Sequence, residues 1–175
     1  MSLKKALTTV PSLYKYIIEV YGADEDKYIL KRKSEGQYKG ITYREFKEQT
    51  DSFAYGLHSL GIKRNDKISI ISENRPEWVY ADMAMQNLGA INVPLYPSLT
   101  SSSIEYILND SESKAVIVSN KYQLNKFLKV KDSCRHIQFI IIMNESDFSS
   151  SVHNLYTFRQ VQNRGELLMK ENPDL

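Results

Sequence analysis

The sequence predicts an α/β fold: a mostly parallel sheet with helices on both faces, preceded by a helix and a β-hairpin. Three observations carry this. From Asp66 onward, short apolar runs alternate with segments of helical periodicity. The runs Ala115 to Val118 and Phe139 to Met143 are apolar at successive positions, which suits strands buried on both faces. The connections are short, as in right-handed strand–helix–strand units.

Each element has a local reason. Thr9 to Gly22 reads as a helix with Thr9 as cap, Pro11 in the first turn and Gly22 at the end; Leu13, Ile17 and Val20 or Tyr21 share its apolar face. Lys27 to Arg32 and Gln37 to Thr42 flank Ser34-Glu35-Gly36, a hairpin signal. Thr42 and Glu45 form a capping box, in which hydroxyl and carboxylate each satisfy a free backbone N–H. The helix they open carries Phe46, Thr50, Phe53, Ala54, Leu57 and Leu60 as its buried stripe, and Gly61 ends it.

Lys67 to Ser72 reads as a strand. Asn74 and Glu77 read as a capping pair for the next helix, with Pro76 in the first turn, where its missing N–H costs nothing. Trp78, Ala81, Met85 and Leu88 share one face, which puts Trp78 in the core, and Gly89 ends the helix. A buried strand over Ala90 to Pro94 follows, then a helix from Ser101 to Asn109, with the hydroxyls of Ser98 to Ser103 available to cap it. Ala115 to Ser119 is a strand, Lys121 to Lys131 a helix and Gln138 to Met143 a strand. Asn144 to Ser151 is a polar loop, Tyr156 to Met169 a last helix, and Glu171 to Leu175 a tail.

Composition narrows the function. Lys plus Arg number 23 and Asp plus Glu 21, so no charge excess points to nucleic acid. The apolar runs fall far short of the roughly 20 residues a membrane helix needs. One cysteine, Cys134, allows neither an internal disulfide nor a cysteine zinc cage. Met1 to Lys5 lacks the apolar core of a signal peptide, so a cytoplasmic location is expected.

A phosphate-binding loop needs clustered glycines, so that backbone N–H groups can approach the oxygens. The glycines stand at 22, 36, 40, 56, 61, 89 and 165, and none is closer than four residues to another. A nucleophile elbow needs Gly-x-Ser-x-Gly, and the one pair at that spacing, Gly36 and Gly40, has Tyr38 between. Cys134 and His136, with His58 and His153 elsewhere, are read as edge or surface residues, and no metal site is expected. Glu73 and Glu77 stand one turn apart, but capping accounts for Glu77. Lys121, Lys126, Lys129, Lys131 and Arg135 form a solvated basic face. Spacing thus reaches a soluble α/β domain with no catalytic constellation of its own.

Two stretches are more specific. Asp66 to Trp78 reads DKISIISENRPEW, and Gly89 to Thr100 reads GAINVPLYPSLT. With Ile41 to Phe46 and Leu60-Gly61-Ile62 ahead of them, they resemble the N-terminal part of the adenylate-forming enzymes, and most of all the long-chain fatty-acid–CoA ligases. The resemblance runs from Thr9 to Leu175 in matching order. It implies one incomplete N-terminal domain over 1–175: helix, hairpin and long helix at 9–62, strand–helix units at 66–143, and loop plus helix at 144–175. It also implies a parent that uses ATP, Mg2+ and CoA to activate a fatty acid as an acyl-adenylate and pass it to the thiol. The family's phosphate loop, ending in Pro-Lys, would begin shortly after Leu175. The expectation is therefore a fragment, inactive and without bound cofactor by itself, with no catalytic residue to carry over. Tyr96, Pro97 and Ser98 follow a strand whose counterpart in relatives lies near the CoA path, and they are the candidate site residues. Peripheral membrane contact of the parent is implied because fatty-acyl substrates partition into bilayers. Self-association of the fragment is expected from uncovered apolar faces. Two alternatives stand beside this reading: a non-catalytic α/β module that binds a partner or an acyl chain, and an adenylating enzyme for another carboxylic acid.

Overall fold

The computed structural model describes residues 8–34 and 36–172. Residues 1–7, residue 35 of the expected Ser34-Glu35-Gly36 hairpin signal and residues 173–175 of the expected tail lie outside the described residues. Helix α1 (Val10–Tyr21) precedes a hairpin of β1 (Tyr28–Ser34) and β2 (Gln37–Thr42), and α2 (Tyr43–Ser59) follows. Then come β3 (Lys67–Ile71), α3 (Pro76–Leu88), β4 (Ile91–Leu95), α4 (Ser101–Asp110), β5 (Ala115–Val118), α5 (Lys121–Leu128), β6 (Phe139–Ile142), β7 (Leu155–Thr157) and α6 (Phe158–Glu171).

The sheet is fully parallel, with order β4-β3-β5-β6-β7. Alternate side chains of β5 and β6 point to opposite faces, as the pleat requires. Ala115, Ile117, Phe139 and Ile141 meet Phe53, Leu57, Met85 and Val161, so α2, α3 and α6 cover one face. Val116, Val118, Ile140 and Ile142 meet Ile104, Leu108, Leu124 and Phe127, so α4 and α5 cover the other. The chain moves outward from β3 to β4, then returns past β3 to β5. That reversal puts α3 and α4 on opposite faces, as a constant crossover hand requires.

The capping box of α2 forms as expected: Glu45 N donates to Thr42 Oγ1 and Thr42 N to Glu45 Oε2. Gly61 at φ +88° and Gly89 at φ +68° end their helices in the left-handed region. Elsewhere tertiary contacts override local reading. On α1, Leu13 and Val20 are exposed, and Tyr14 is the buried residue because its hydroxyl donates to Asp51 on α2 at 2.9 Å. The Asn74–Glu77 capping pair does not form. Arg75 occupies the cap position of α3 without a side-chain cap bond, and Glu77 is taken up by Arg75 itself. Strand β4 is an edge strand with Ile91 and Pro94 exposed, not a buried one. An edge tolerates Pro94, which has no N–H to give to a neighbour.

Helix α5 stops at Leu128, and a single 3-10 turn spans Lys131–Ser133. Tyr156 and Thr157, expected to open the last helix, belong to β7 (Leu155–Thr157) instead, and α6 starts at Phe158 behind a Thr157–Gln160 capping box. Helix α6 crosses α2 closely. Gly56 and Gly165 sit where a side chain on either would meet the backbone of the other helix, and Phe53 stacks on Phe158 at 3.9 Å between ring centroids.

Candidate functional site

In open α/β sheets, ligands bind outside the carboxyl ends of the strands where the strand order reverses. Here the reversal lies between β3 and β5. Arg75 spans that crevice. Its Nε and Nη2 donate to the two Glu77 carboxylate oxygens at 2.8 and 3.0 Å, and its Nη1 donates to Ser119 O beyond β5 and Asn144 Oδ1 beyond β6. Burial works to raise the Glu77 carboxyl, and the bonds from Arg75 and its own amide outweigh it and hold the group below the usual carboxylate range. A side chain of the protein therefore fills the usual position for a ligand.

The open space lies one strand over. A groove of about 510 Å³ opens between the β3–α3 and β4–α4 loops. Trp78, Leu95, Tyr96 and Pro97 give it an apolar lining, and Ser72 and Glu73 a polar one. Two of the three sequence-predicted residues, Tyr96 and Pro97, thus line one cavity, while Ser98 follows on the exposed loop outside its lining. Tyr96 is 78% exposed. Trp78, expected in the core, is half-buried: it packs against the core and also lines the groove.

Behind the groove stands a polar set that the sequence did not mark. Gln123, only 2% exposed, donates through Nε2 to Pro97 O at 3.2 Å and Glu73 Oε1 at 3.3 Å. Lys126 Nζ donates to the same Pro97 carbonyl at 2.7 Å. The sequence pattern predicts Lys126 on a solvated basic face; the structure turns it toward the loop. Burial would raise the Glu73 carboxyl, but hydrogen bonding, with its own amide and Gln123 among the donors, holds it low, so it is ionised at neutral pH. Glu73 and Glu77 are drawn to different partners and do not form an acid–base pair. Among the described residues no three His, Cys, Asp or Glu side chains are grouped to hold a metal ion. Burial pushes the Cys134 thiol up to about 11, which suits a packing residue more than a ligand.

A second cleft of about 430 Å³ lies between the hairpin and α2, α3 and α6. Its charges of both signs, Arg32, Lys39 and Arg159 with Glu45, Glu77 and Glu145, leave it no clear preference for an ion.

The sequence profile of AMP-binding enzymes matches residues 15–172. The chain belongs to the AMP-binding enzyme family. Its relatives include a long-chain-fatty-acid–CoA ligase of Xenopus laevis, 28% identical over 95% of this chain and 21% of the relative. A fatty acyl-CoA synthetase of Dictyostelium discoideum is 38% identical over 49% of this chain and 13% of its own length. The chain therefore spans about a fifth or less of these curated relatives. Among solved structures, the anthranilate CoA ligase AuaEII superposes with TM-score 0.73 at 18% identity, covering 87% of this chain and 27% of that one. The adenylation–carrier didomain of a carboxylic acid reductase from Segniliparus rugosus superposes with TM-score 0.75 at 16% identity, covering 89% and 26%. Both share the fold of this AMP-binding family member.

Proposed function

We propose that these residues form the N-terminal subdomain of an AMP-forming long-chain fatty-acid–CoA ligase, and that the Tyr96–Ser98 loop is one wall of the path taken by CoA. The complete enzyme would use ATP and Mg2+ to join a fatty acid to the CoA thiol, and the products would be fatty-acyl-CoA, AMP and pyrophosphate. The observation that carries this is the likeness to long-chain ligases along 95% of the chain. Among the described residues no three His, Cys, Asp or Glu side chains are grouped to hold Mg2+.

What these residues contribute is shape. An apolar groove open at one side and bounded by fixed loops suits a slender, flexible chain such as a pantetheine arm, which gains from burying its methylenes. Among the described residues no helix is long and apolar enough to cross a membrane. A cytoplasmic enzyme meeting membranes peripherally, where its acyl substrate partitions, completes the proposal.

The test is a substrate panel with the complete enzyme that contains this segment. Palmitate or oleate with ATP and CoA should give thioester and AMP. Turnover of aryl acids with none of palmitate or oleate would replace the long-chain reading, and thioester made by the 175-residue chain itself would overturn the division of labour.

A further inference from the structure

We infer that Gln123 and Lys126 of α5 are positioning residues that set the Tyr96–Pro97–Ser98 loop and so tune the use of the CoA thiol. This rests on the proposed role of that loop. The loop leaves β4, an edge strand paired on one side. Pro97 has no N–H, so its carbonyl is the one polar backbone group by which that residue can be held. Both Gln123 Nε2 and Lys126 Nζ point at it, from residues one helical turn apart and so on the same face of α5. Ser101 Oγ donates to Lys126 O at 2.9 Å and ties the start of α4 to the same turn.

The orientation of the Gln123 amide is fixed by its neighbours. Reversed, its oxygen would face the Pro97 carbonyl and the ionised Glu73 carboxylate, three acceptors with no proton among them. As it stands, Gln123 Oε1 is buried without a partner. Burying an unsatisfied amide oxygen is unfavourable, and leucine would fill the position without that cost. Packing of α5 does not need the amide either, since Leu124 and Phe127, at 2% and 0% exposure, already seat the helix on the sheet. The return on a buried glutamine here is its grip on two loops at once: Glu73 beyond β3 and Pro97 beyond β4. Those loops supply opposite linings of the groove. Loss of the grip frees Tyr96 and Pro97 to move relative to Trp78, and the groove changes width.

Gln123→Leu and Lys126→Met, made singly in the complete ligase, test this. Removing a hydrogen bond to a charged or buried group corresponds to roughly a tenfold effect, so the KM for CoA should rise about tenfold. Fatty-acid-dependent pyrophosphate exchange, which precedes thiol entry, should change less than threefold. A CoA KM within twofold of the parent overturns the inference, as does a parallel fall in exchange, which would mark a general structural defect.

A second measurement does not depend on activity. Trp78 is the single tryptophan and lines the groove. In the 175-residue chain, Lys126→Met should raise the acrylamide quenching constant of Trp78 about twofold. An unchanged constant refutes the grip itself. A parent enzyme that makes no fatty-acyl-CoA refutes the ligase reading, and the quenching result still decides this one.

Discussion

Gly165→Ala places the tightest contact of the fold under test, because two well-established effects predict opposite signs. On helix propensity alone, alanine inside α6 should gain about 1 kcal/mol over glycine. The structure reverses this. A Cβ on Gly165 would overlap the Ser52 carbonyl oxygen and stand 2.7 Å from Gly56 N and 2.8 Å from Ser52 C, where ordinary contact begins at 3.4 Å. All three are backbone atoms, so no rotamer change can relieve the clash, and the helices must separate. Separation strains the Phe53–Phe158 stack at 3.9 Å and the bonds from Gln162 Nε2 to Gln49 at 2.8 and 3.2 Å. Overpacking costs about 1–3 kcal/mol where a core can adjust, and this site lies at the upper end.

The net expectation is a loss of about 2 kcal/mol, or roughly 4–8 °C in melting temperature for a chain of this size. Urea denaturation followed by circular dichroism measures it, with Asn163→Ala as a control at an exposed position on the same helix. A Gly165→Ala protein as stable as its parent, beside a stabilised Asn163→Ala, would refute the close approach of α2 and α6.

Other consequences follow from the same contacts. Arg75→Ala removes the bonds to Glu77, Ser119 and Asn144; with Glu77 partly solvated, the loss should be about 2 kcal/mol, below that of a fully buried pair. The Glu77 carboxyl is held low, so its contribution is present above the usual carboxylate range and disappears as pH falls; the acid limb of stability should be shallower in Arg75→Ala, as pH-dependent urea midpoints would show. Burial, with Glu77 and Glu45 nearby, pushes the Tyr80 hydroxyl up to about 12 from 10.0. Its contribution is whole below pH 10 and is lost as pH rises toward 12, because the unfolded tyrosine ionises first; Tyr80→Phe should flatten that decline by on the order of 2 kcal/mol. The open edge of β4, with Ile91 45% exposed, should make the 175-residue chain self-associate, and Ile91→Lys should reduce its mass by light scattering; a parent that is monomeric at every concentration would remove the edge as the cause.

Where sequence and structure part, the reason is long-range. Thr42 and Glu45 signal their helix because the interaction is complete within four residues. Asn74 and Glu77 carry the same kind of signal, and it fails because Arg75 claims Glu77 and is itself fixed by Ser119 and Asn144, far along the chain. The face of α1 was misplaced for a similar reason: Leu13 and Val20 fit the periodicity, but Tyr14 finds Asp51. β7 was missed because three residues give no period, and a Thr157–Gln160 box was the overlooked sign of where α6 begins. In the candidate site, Tyr96 and Pro97 were visible in a motif. Gln123 and Lys126 were not, since a glutamine in an amphipathic helix has no local mark of burial.

The sequence by itself determined the element types apart from β7, most of their boundaries and the family, because capping residues, helix-ending glycines and side-chain period act between near neighbours. Tertiary structure alone decided the strand order, the exposure of β4, the plug of Arg75 in the usual crevice and the groove beside it. Each of these depends on which carbonyl, carboxylate or backbone segment arrives from tens of residues away, and no local pattern encodes that arrival.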